Sequence, residues 1–124
     1  MLGNSCEFKN ALLLERVEAA HFNYVGDSVL GCKAHLGAGV ILANLRLARD
    51  EVVIKLGDER IPTDRRKVGA FLGDGAEIGC NSVLQPGTII GPRAAVLNLA
   101  FGGYLPAGQI AFAKQEVKRV RRPD

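Results

Sequence analysis

A six-residue repeat is the strongest pattern in this chain of 124 residues. Written in sixes, the sequence from Leu72 reads LGDGAE, IGCNSV, LQPGTI, IGPRAA and VLNLAF. An earlier block from Leu30 reads LGCKAH, LGAGVI and LANLRL. Because Leu42 and Leu72 are separated by a whole number of sixes, the chain leaves the register near Leu47 and returns to it near Phe71.

A period of six has a direct structural interpretation. Each unit supplies one short strand and one sharp corner, so three units close one turn of a triangular coil with the leading aliphatic residue inside. Stacked coils pair as parallel strands about 4.8 Å apart. The fifth residue of each unit also points inward, and in the second block these residues are small: Ala76, Ser82, Thr88, Ala94 and Ala100. The sequence therefore predicts an all-β fold, a single-stranded left-handed parallel β-helix of about four to five coils.

The segments outside the repeat are predicted to belong to the same single domain, which spans residues 1–124. An insert at 48–69 contains two strand-like runs separated by Gly57-Asp58, which predicts a hairpin. The N-terminal segment fits one irregular coil, with a helical turn at 12–18 as an alternative. A short tail at 102–124 contains a turn and one further strand, and then a basic segment that is either a short helix or a frayed end.

Composition excludes several classes of protein. A nucleic-acid binder would show a stronger basic excess with interleaved aromatics, whereas the net charge here is +3 and aromatic residues make up 6%. Three cysteines without CxxC spacing favour reduced thiols in a cytoplasmic protein, with no metal site. No apolar run approaches the roughly 20 residues that a membrane span needs. A prism of so few coils is marginal as a monomer, so we expect an oligomer.

The segment HFNYVGDS at 21–28, followed by the repeat block and ANLRL at 43–47, carries a family resemblance. It resembles the acetyltransferase part of the bifunctional N-acetylglucosamine-1-phosphate uridyltransferase/glucosamine-1-phosphate acetyltransferases, in particular the archaeal-type sugar-1-phosphate nucleotidyltransferases. GDERIPTDRRKVGAFLGD at 57–74 is similar to the insert and re-entry of that group. The resemblance covers about residues 7–95. That family carries a preceding nucleotidyltransferase domain, whose glycine-rich loop this sequence lacks, so we expect no uridylyl transfer from this chain by itself.

The resemblance implies a role for several polar residues. His21 matches the general base that takes a proton from the substrate amine, and imidazole is the side chain suited to that task near neutral pH. Tyr24 and Asn44 match residues that line the sugar-phosphate site. Their plain interpretations are an inward core aromatic for Tyr24 and a corner residue for Asn44. His35 is placed at a corner, either as a weaker pocket residue or as a plain corner.

The resemblance also implies where acetyl-CoA and phosphate bind. Cofactor binding in the family uses backbone groups at successive corners, which makes Gly37, Ala38 and Gly73 the candidates. Where bacterial relatives place a lysine for the substrate phosphate, this chain has Arg49-Asp50. The residues that could bind the phosphate instead are Lys55, Arg65, Arg66 and Lys67, and the plain interpretation of Arg65, Arg66 and Lys67 is a solvated loop.

Three functions follow from these observations. The first is an acetyl-CoA-dependent N-acetyltransferase of an amino-sugar phosphate of the glucosamine-1-phosphate type, with its site between subunits of a homotrimer. The second is a non-catalytic trimerisation or sugar-nucleotide-binding module that partners a separate nucleotidyltransferase chain. The third is a hexapeptide acyltransferase that uses a longer acyl donor. The combination of His21, Tyr24 and Asn44 favours the first, and the missing lysine favours the second.

Overall fold

Seventeen strands and no helix make up the computed structural model, which describes all residues 1–124. The first two coils consist of β1 Glu7–Lys9, β2 Leu12–Leu13, β3 Glu18–Ala19, β4 Tyr24–Gly26, β5 Val29–Leu30 and β6 His35–Leu36. The third coil consists of β7 Ile41–Leu42, the insert strands β8 Val53–Leu56 and β9 Glu59–Pro62, β10 Phe71–Leu72 and β11 Glu77–Ile78. The last two coils consist of β12 Val83–Leu84, β13 Ile89–Ile90, β14 Ala95–Val96, β15 Ala100–Phe101, β16 Tyr104–Leu105 and β17 Ile110–Ala111.

Three parallel sheets form the faces of a triangular prism. Sheet 1 contains β1, β4, β7, β12 and β15; sheet 2 contains β2, β5, β10, β13 and β16; sheet 3 contains β3, β6, β11, β14 and β17. The chain visits the sheets in that order in every coil, and Leu2 starts a further rung by pairing in parallel with Ala19. The predicted left-handed parallel β-helix is confirmed, with five complete coils and the beginning of another.

The hydrophobic core runs along the axis of the prism. The leading residues of the repeat are at most 3% exposed and stack in register: Leu30, Leu36, Leu42, Leu72, Ile78, Leu84, Ile90 and Val96. The small fifth residues Ala76, Ser82, Thr88 and Ala94 are fully buried, as predicted. Each coil therefore buries its inner face only because the next coil covers it.

The prediction for Ala100 is wrong. The step from the inward Val96 to the next inward residue is five rather than six, so Phe101 pairs with Leu84 and packs against the core while Ala100 is exposed. A one-residue shift exchanges the two faces of a strand. The predicted tail at 102–124 contains two strands, β16 and β17, rather than the single strand that was predicted, and no strand follows Ala111.

The first coil is more regular than expected. Its three strands each pair with the coil above, and Arg16 with a φ of 61° forms a corner where a helical turn was the alternative. At Tyr24, as at Ala100, the residue that faces the core is the next one along the chain. Val25 is the fully buried residue, so Tyr24 lies on the outer face and its interpretation as an inward core aromatic is wrong.

The insert leaves the prism at the corner between sheets 1 and 2 and forms the predicted hairpin around Gly57-Asp58. The end of the insert is hydrogen-bonded to the preceding coil. The buried Ser28 hydroxyl donates to the carbonyl of Gly26 at 2.8 Å and accepts from the amide of Ala70 at 2.9 Å. These bonds fix the position of the insert relative to the HFNYVGDS segment. No helix in the structure has the length and apolar character of a membrane span.

Candidate functional site

Tyr24, Asn44 and Asp27 form a hydrogen-bonded cluster at the junction of sheet 1 and the insert. The Nδ2 amide of the buried Asn44 donates to Tyr24 Oη at 3.0 Å and to Asp27 Oδ2 at 2.7 Å. Both protons of that nitrogen are therefore used, and the Asn44 Oδ1 oxygen and the Tyr24 hydroxyl proton remain available to a ligand. A donor and acceptors held at one place can bind the hydroxyl groups of a sugar.

Gly26 makes this cluster sterically possible. A Cβ built at Gly26 would lie 2.5 Å from Asn44 Nδ2 and 2.6 Å from Tyr24 Oη. Any side chain at this position would therefore displace the cluster. Gly26 and Asp27 were not assigned a role from the sequence, although both lie in the HFNYVGDS segment. The contact that reveals them joins Asp27 to a residue 17 positions later, which local sequence does not show.

His21 lies on the corner that leads from sheet 3 into sheet 1. Its backbone is fixed, because its amide donates to Asn23 Oδ1 at 3.3 Å and its carbonyl accepts from the amide of Gly39 at 3.0 Å. The Asn23 side chain is itself buried and donates to the carbonyl of Gly37 at 2.9 Å. The imidazole is exposed and forms no hydrogen bond within the protomer. A rigid backbone with a free ring suits a group that exchanges protons with a ligand.

Two of the three cofactor candidates lie one coil from His21. Gly37 and Ala38 occupy the next turn of the same corner, and the amide of Ala38 donates to no group of the protomer. Gly73 lies on a different corner, between sheets 2 and 3. A Cβ at Gly73 would lie 2.5 Å from the backbone nitrogen of Pro92, so the close approach of the next coil accounts for this glycine.

His35 does not lie at a corner, and that prediction is wrong. It belongs to strand β6 on the outer face of sheet 3, where its Nδ1 lies 2.7 Å from Glu77 Oε2. It pairs in register with Glu18 on its other side. His35 is therefore part of a surface ladder on a face that carries neither Tyr24 nor Asn44.

Two of the three basic residues at the end of the insert line a common groove, and the third does not. Arg65 and Lys67 line an open groove of about 430 Å³ between the insert and sheet 2, whereas Arg66 does not line it. Asp27 lines the same groove and so connects it to the Tyr24–Asn44–Asp27 cluster. The groove combines two cations with one carboxylate. No group of three His, Cys, Asp or Glu side chains in the structure could hold a metal ion.

Relatives of the chain are found among bifunctional enzymes. It is 39% identical over 95 residues to the bifunctional sugar-1-phosphate nucleotidylyltransferase/acetyltransferase of Sulfurisphaera tokodaii, a match that covers 77% of this chain and 24% of that protein. It is 33% identical over 95 residues to the bifunctional protein GlmU of Methanococcus maripaludis, covering 77% of this chain and 23% of that protein. The chain thus spans about a quarter of the length of the curated relatives it matches. No family model matches the chain.

Similarity to solved structures supports the architecture. Serine acetyltransferase isoform 3 from Entamoeba histolytica superposes with a TM-score of 0.56 at 12% identity, over 92% of this chain and 39% of that one. At this level of identity the similarity concerns the fold.

Proposed function

The chain belongs to the hexapeptide-repeat acetyltransferase family that includes the bifunctional sugar-1-phosphate nucleotidylyltransferase/acetyltransferases, and from this membership we propose that it is an acetyl-CoA-dependent N-acetyltransferase of an amino-sugar phosphate. The observation that carries the proposal is the hydrogen-bonded Tyr24–Asn44–Asp27 cluster. His21, whose imidazole forms no hydrogen bond within the protomer, lies three positions before Tyr24 in the sequence. Glucosamine-1-phosphate is the acceptor that the family resemblance implies.

The proposed reaction needs one proton acceptor and one place for negative charge. His21 removes a proton from the substrate ammonium, and the amine attacks the carbonyl carbon of the acetyl thioester. The tetrahedral oxyanion is stabilised by backbone N–H groups, for which the free amide of Ala38 is the candidate. The attacking nitrogen loses its second proton to water from the tetrahedral intermediate. When the C–S bond breaks, the CoA sulfur takes the proton from the His21 imidazolium, and the products are the N-acetyl sugar phosphate, free CoA and one proton released to solvent.

A thiol-release assay tests this proposal. The purified protein is mixed with acetyl-CoA, and free thiol is followed with and without glucosamine-1-phosphate. We expect release that depends on the amino-sugar phosphate. Absence of release above background would contradict the proposed activity. Detectable binding of glucosamine-1-phosphate without release would favour the non-catalytic module. The resemblance implies a phosphate-binding lysine where this chain has Arg49-Asp50, and the carboxylate of Asp50 is instead paired with Arg46, with its Oδ1 3.2 Å from Arg46 Nε. The absence of that lysine is compatible with a non-catalytic role.

Removal of the Tyr24 hydroxyl is expected to weaken acceptor binding. Tyr24→Phe deletes one hydrogen-bonding group, worth about 1 kcal/mol, so KM for glucosamine-1-phosphate should rise roughly fivefold while kcat changes little. KM for acetyl-CoA is the internal control, because the proposed role of Tyr24 concerns the acceptor alone, and this KM should not change. Equal KM values for glucosamine-1-phosphate in Tyr24→Phe and the unmodified protein would remove Tyr24 from the acceptor site.

We propose that the protein is a homotrimer that packs through sheet 2. The outward residues of this sheet form a continuous apolar row: Leu12, Val29, Phe71, Ile89 and Tyr104. Sheet 3 instead carries Glu18, His35 and Glu77 in its row. Burying the apolar row against another copy would remove it from water, which a short prism cannot do alone.

A charge placed in the apolar row should dissociate the trimer. Ile89→Glu would bury an unpaired carboxylate in the interface, so light scattering should show a shift from a trimeric mass toward that of one 13.2 kDa chain. Ala95→Glu is the matched control, since Ala95 lies on the outer face of sheet 3 in the same coil. A monomeric unmodified protein would contradict the trimer, and dissociation by Ala95→Glu alone would assign the interface to sheet 3.

We propose that the protein works in the cytoplasm. Its three cysteines, Cys6, Cys32 and Cys80, are free thiols. A reducing compartment keeps such thiols unpaired.

A further inference from the structure

A second groove, which we call the hairpin groove, lies between the insert hairpin and the corner that joins sheets 1 and 2. It has a volume of about 350 Å³. The residues that line it include Arg46, Lys55, Gly102 and Gly103. The charged side chains in this lining are both cations, and no carboxylate contributes to it. It therefore differs from the groove at Arg65 and Lys67, which Asp27 also lines.

The hairpin places two cations opposite each other, and neither forms a salt bridge in the protomer. Lys55 pairs directly opposite Arg60 across the antiparallel strands. Like charges at directly opposed positions destabilise a pair of strands. Neither side chain forms a salt bridge, since the ion pairs of the protomer are His35 with Glu77 and Arg46 with Asp50. An anion bound beside Lys55 would offset this repulsion.

The opposite wall of the groove offers hydrogen-bond donors. The backbone amides of Gly102 and Gly103 donate to no group of the protomer. Arg46 is held by Asp50 through its Nε at 3.2 Å, which leaves the two terminal nitrogens of the guanidinium free to donate. Two cations and two adjacent free amides are a donor set that suits the oxygens of a phosphate group.

We propose that the hairpin groove binds a phosphate group of the reactants, with Lys55, Arg46 and the Gly102-Gly103 amides as its ligands. The inference rests on the proposed acetyl transfer, whose two reactants both carry phosphate: the diphosphate and 3′-phosphate of CoA, and the 1-phosphate of the sugar. Of the phosphate candidates from the sequence it retains Lys55, and it moves the site away from Arg65, Arg66 and Lys67 to the other side of the insert. The absence of a carboxylate in the lining is what favours the hairpin groove.

Calorimetric titration with inorganic pyrophosphate tests the site without requiring turnover. The full chain should bind pyrophosphate, and Lys55→Ala should weaken binding about tenfold or more, because a charge-assisted hydrogen bond is lost. Arg66→Ala is the matched control, since it removes the same charge from an exposed position in the same insert that lines neither groove. It should change the affinity less than twofold. Equal weakening by both variants, or no binding to the unmodified protein, would overturn the proposal.

Two further titrations identify the source of the phosphate. Lys55→Ala should weaken either CoA or glucosamine-1-phosphate and leave the other unchanged, and the reactant that is weakened is the one that the groove holds. Unchanged affinity for both reactants would overturn the assignment even if pyrophosphate binds. The proposed acetyl transfer is tested separately by the thiol-release assay. A failure of the phosphate site, seen in the titrations, can therefore be distinguished from a failure of the enzyme activity, seen as an absence of thiol release.

Discussion

Replacing His21 with alanine is expected to lower kcat for acetyl transfer by about 10²- to 10⁴-fold, because a positioned general base contributes that much to a reaction. Without the imidazole, the substrate amine stays protonated in the site and cannot attack the thioester. KM for acetyl-CoA should change little, since the proposed role of His21 is proton transfer rather than binding. Initial rates of thiol release at saturating concentrations of both reactants measure the effect.

His35→Ala is the matched control for this experiment, because His35 is the second of the two histidines in the chain. It lies on sheet 3 beside Glu77, on a different face from the cluster, and its removal should leave the rate within about twofold. Both variants should unfold at the temperature of the unmodified protein, since each ring is exposed or half-exposed. An unchanged rate in His21→Ala would remove the base from the mechanism. An equal loss in both variants would contradict the placement of the site.

Truncation of an inward leucine should have the largest effect on stability. Leu84 is fully buried and stacks between Leu42 and Phe101, so Leu84→Ala leaves a cavity that the flanking coils prevent from closing. The free energy of unfolding should fall by about 2–5 kcal/mol. That is a large part of the total of about 5–15 kcal/mol typical of a domain. Denaturant titration at one fixed protein concentration measures it, because assembly also contributes to apparent stability.

Leu47→Ala is the matched control for Leu84→Ala. Leu47 is fully exposed where the chain leaves the repeat, so the same truncation should change the free energy of unfolding by less than about 0.5 kcal/mol. Similar losses in the two variants would contradict the assignment of the core to the leading positions of the repeat.

The core could be predicted because its physical constraint is periodic. A residue such as Leu36 or Ile78 must point inward if three units close one turn, and the sequence repeats that requirement every six residues. The prediction failed where the step between inward residues was five. Val25 rather than Tyr24, and Phe101 rather than Ala100, face the core, because corners of different length shift the strand by one residue without an obvious change in composition.

The candidate site was less predictable from sequence because its contacts join distant residues. Tyr24 and Asn44 were selected through family resemblance, and the structure places them 3.0 Å apart, but the carboxylate of Asp27 that holds Asn44 was missed. The two cations of the hairpin groove are brought together by the insert, whose docking against a corner two coils later is a tertiary feature. Neither Lys55 nor Gly102 lies in a motif that would indicate the other.

The central claim is that the chain transfers an acetyl group to the amine of an amino-sugar phosphate. Mass spectrometry of the sugar after incubation with acetyl-CoA and glucosamine-1-phosphate tests it most directly. We predict N-acetylglucosamine-1-phosphate formed in equal amount to the free CoA released, and at least about a hundredfold slower formation of this product with His21→Ala. Recovery of unmodified glucosamine-1-phosphate from the unmodified protein, or acetylation on a hydroxyl rather than the amine, would contradict the claim.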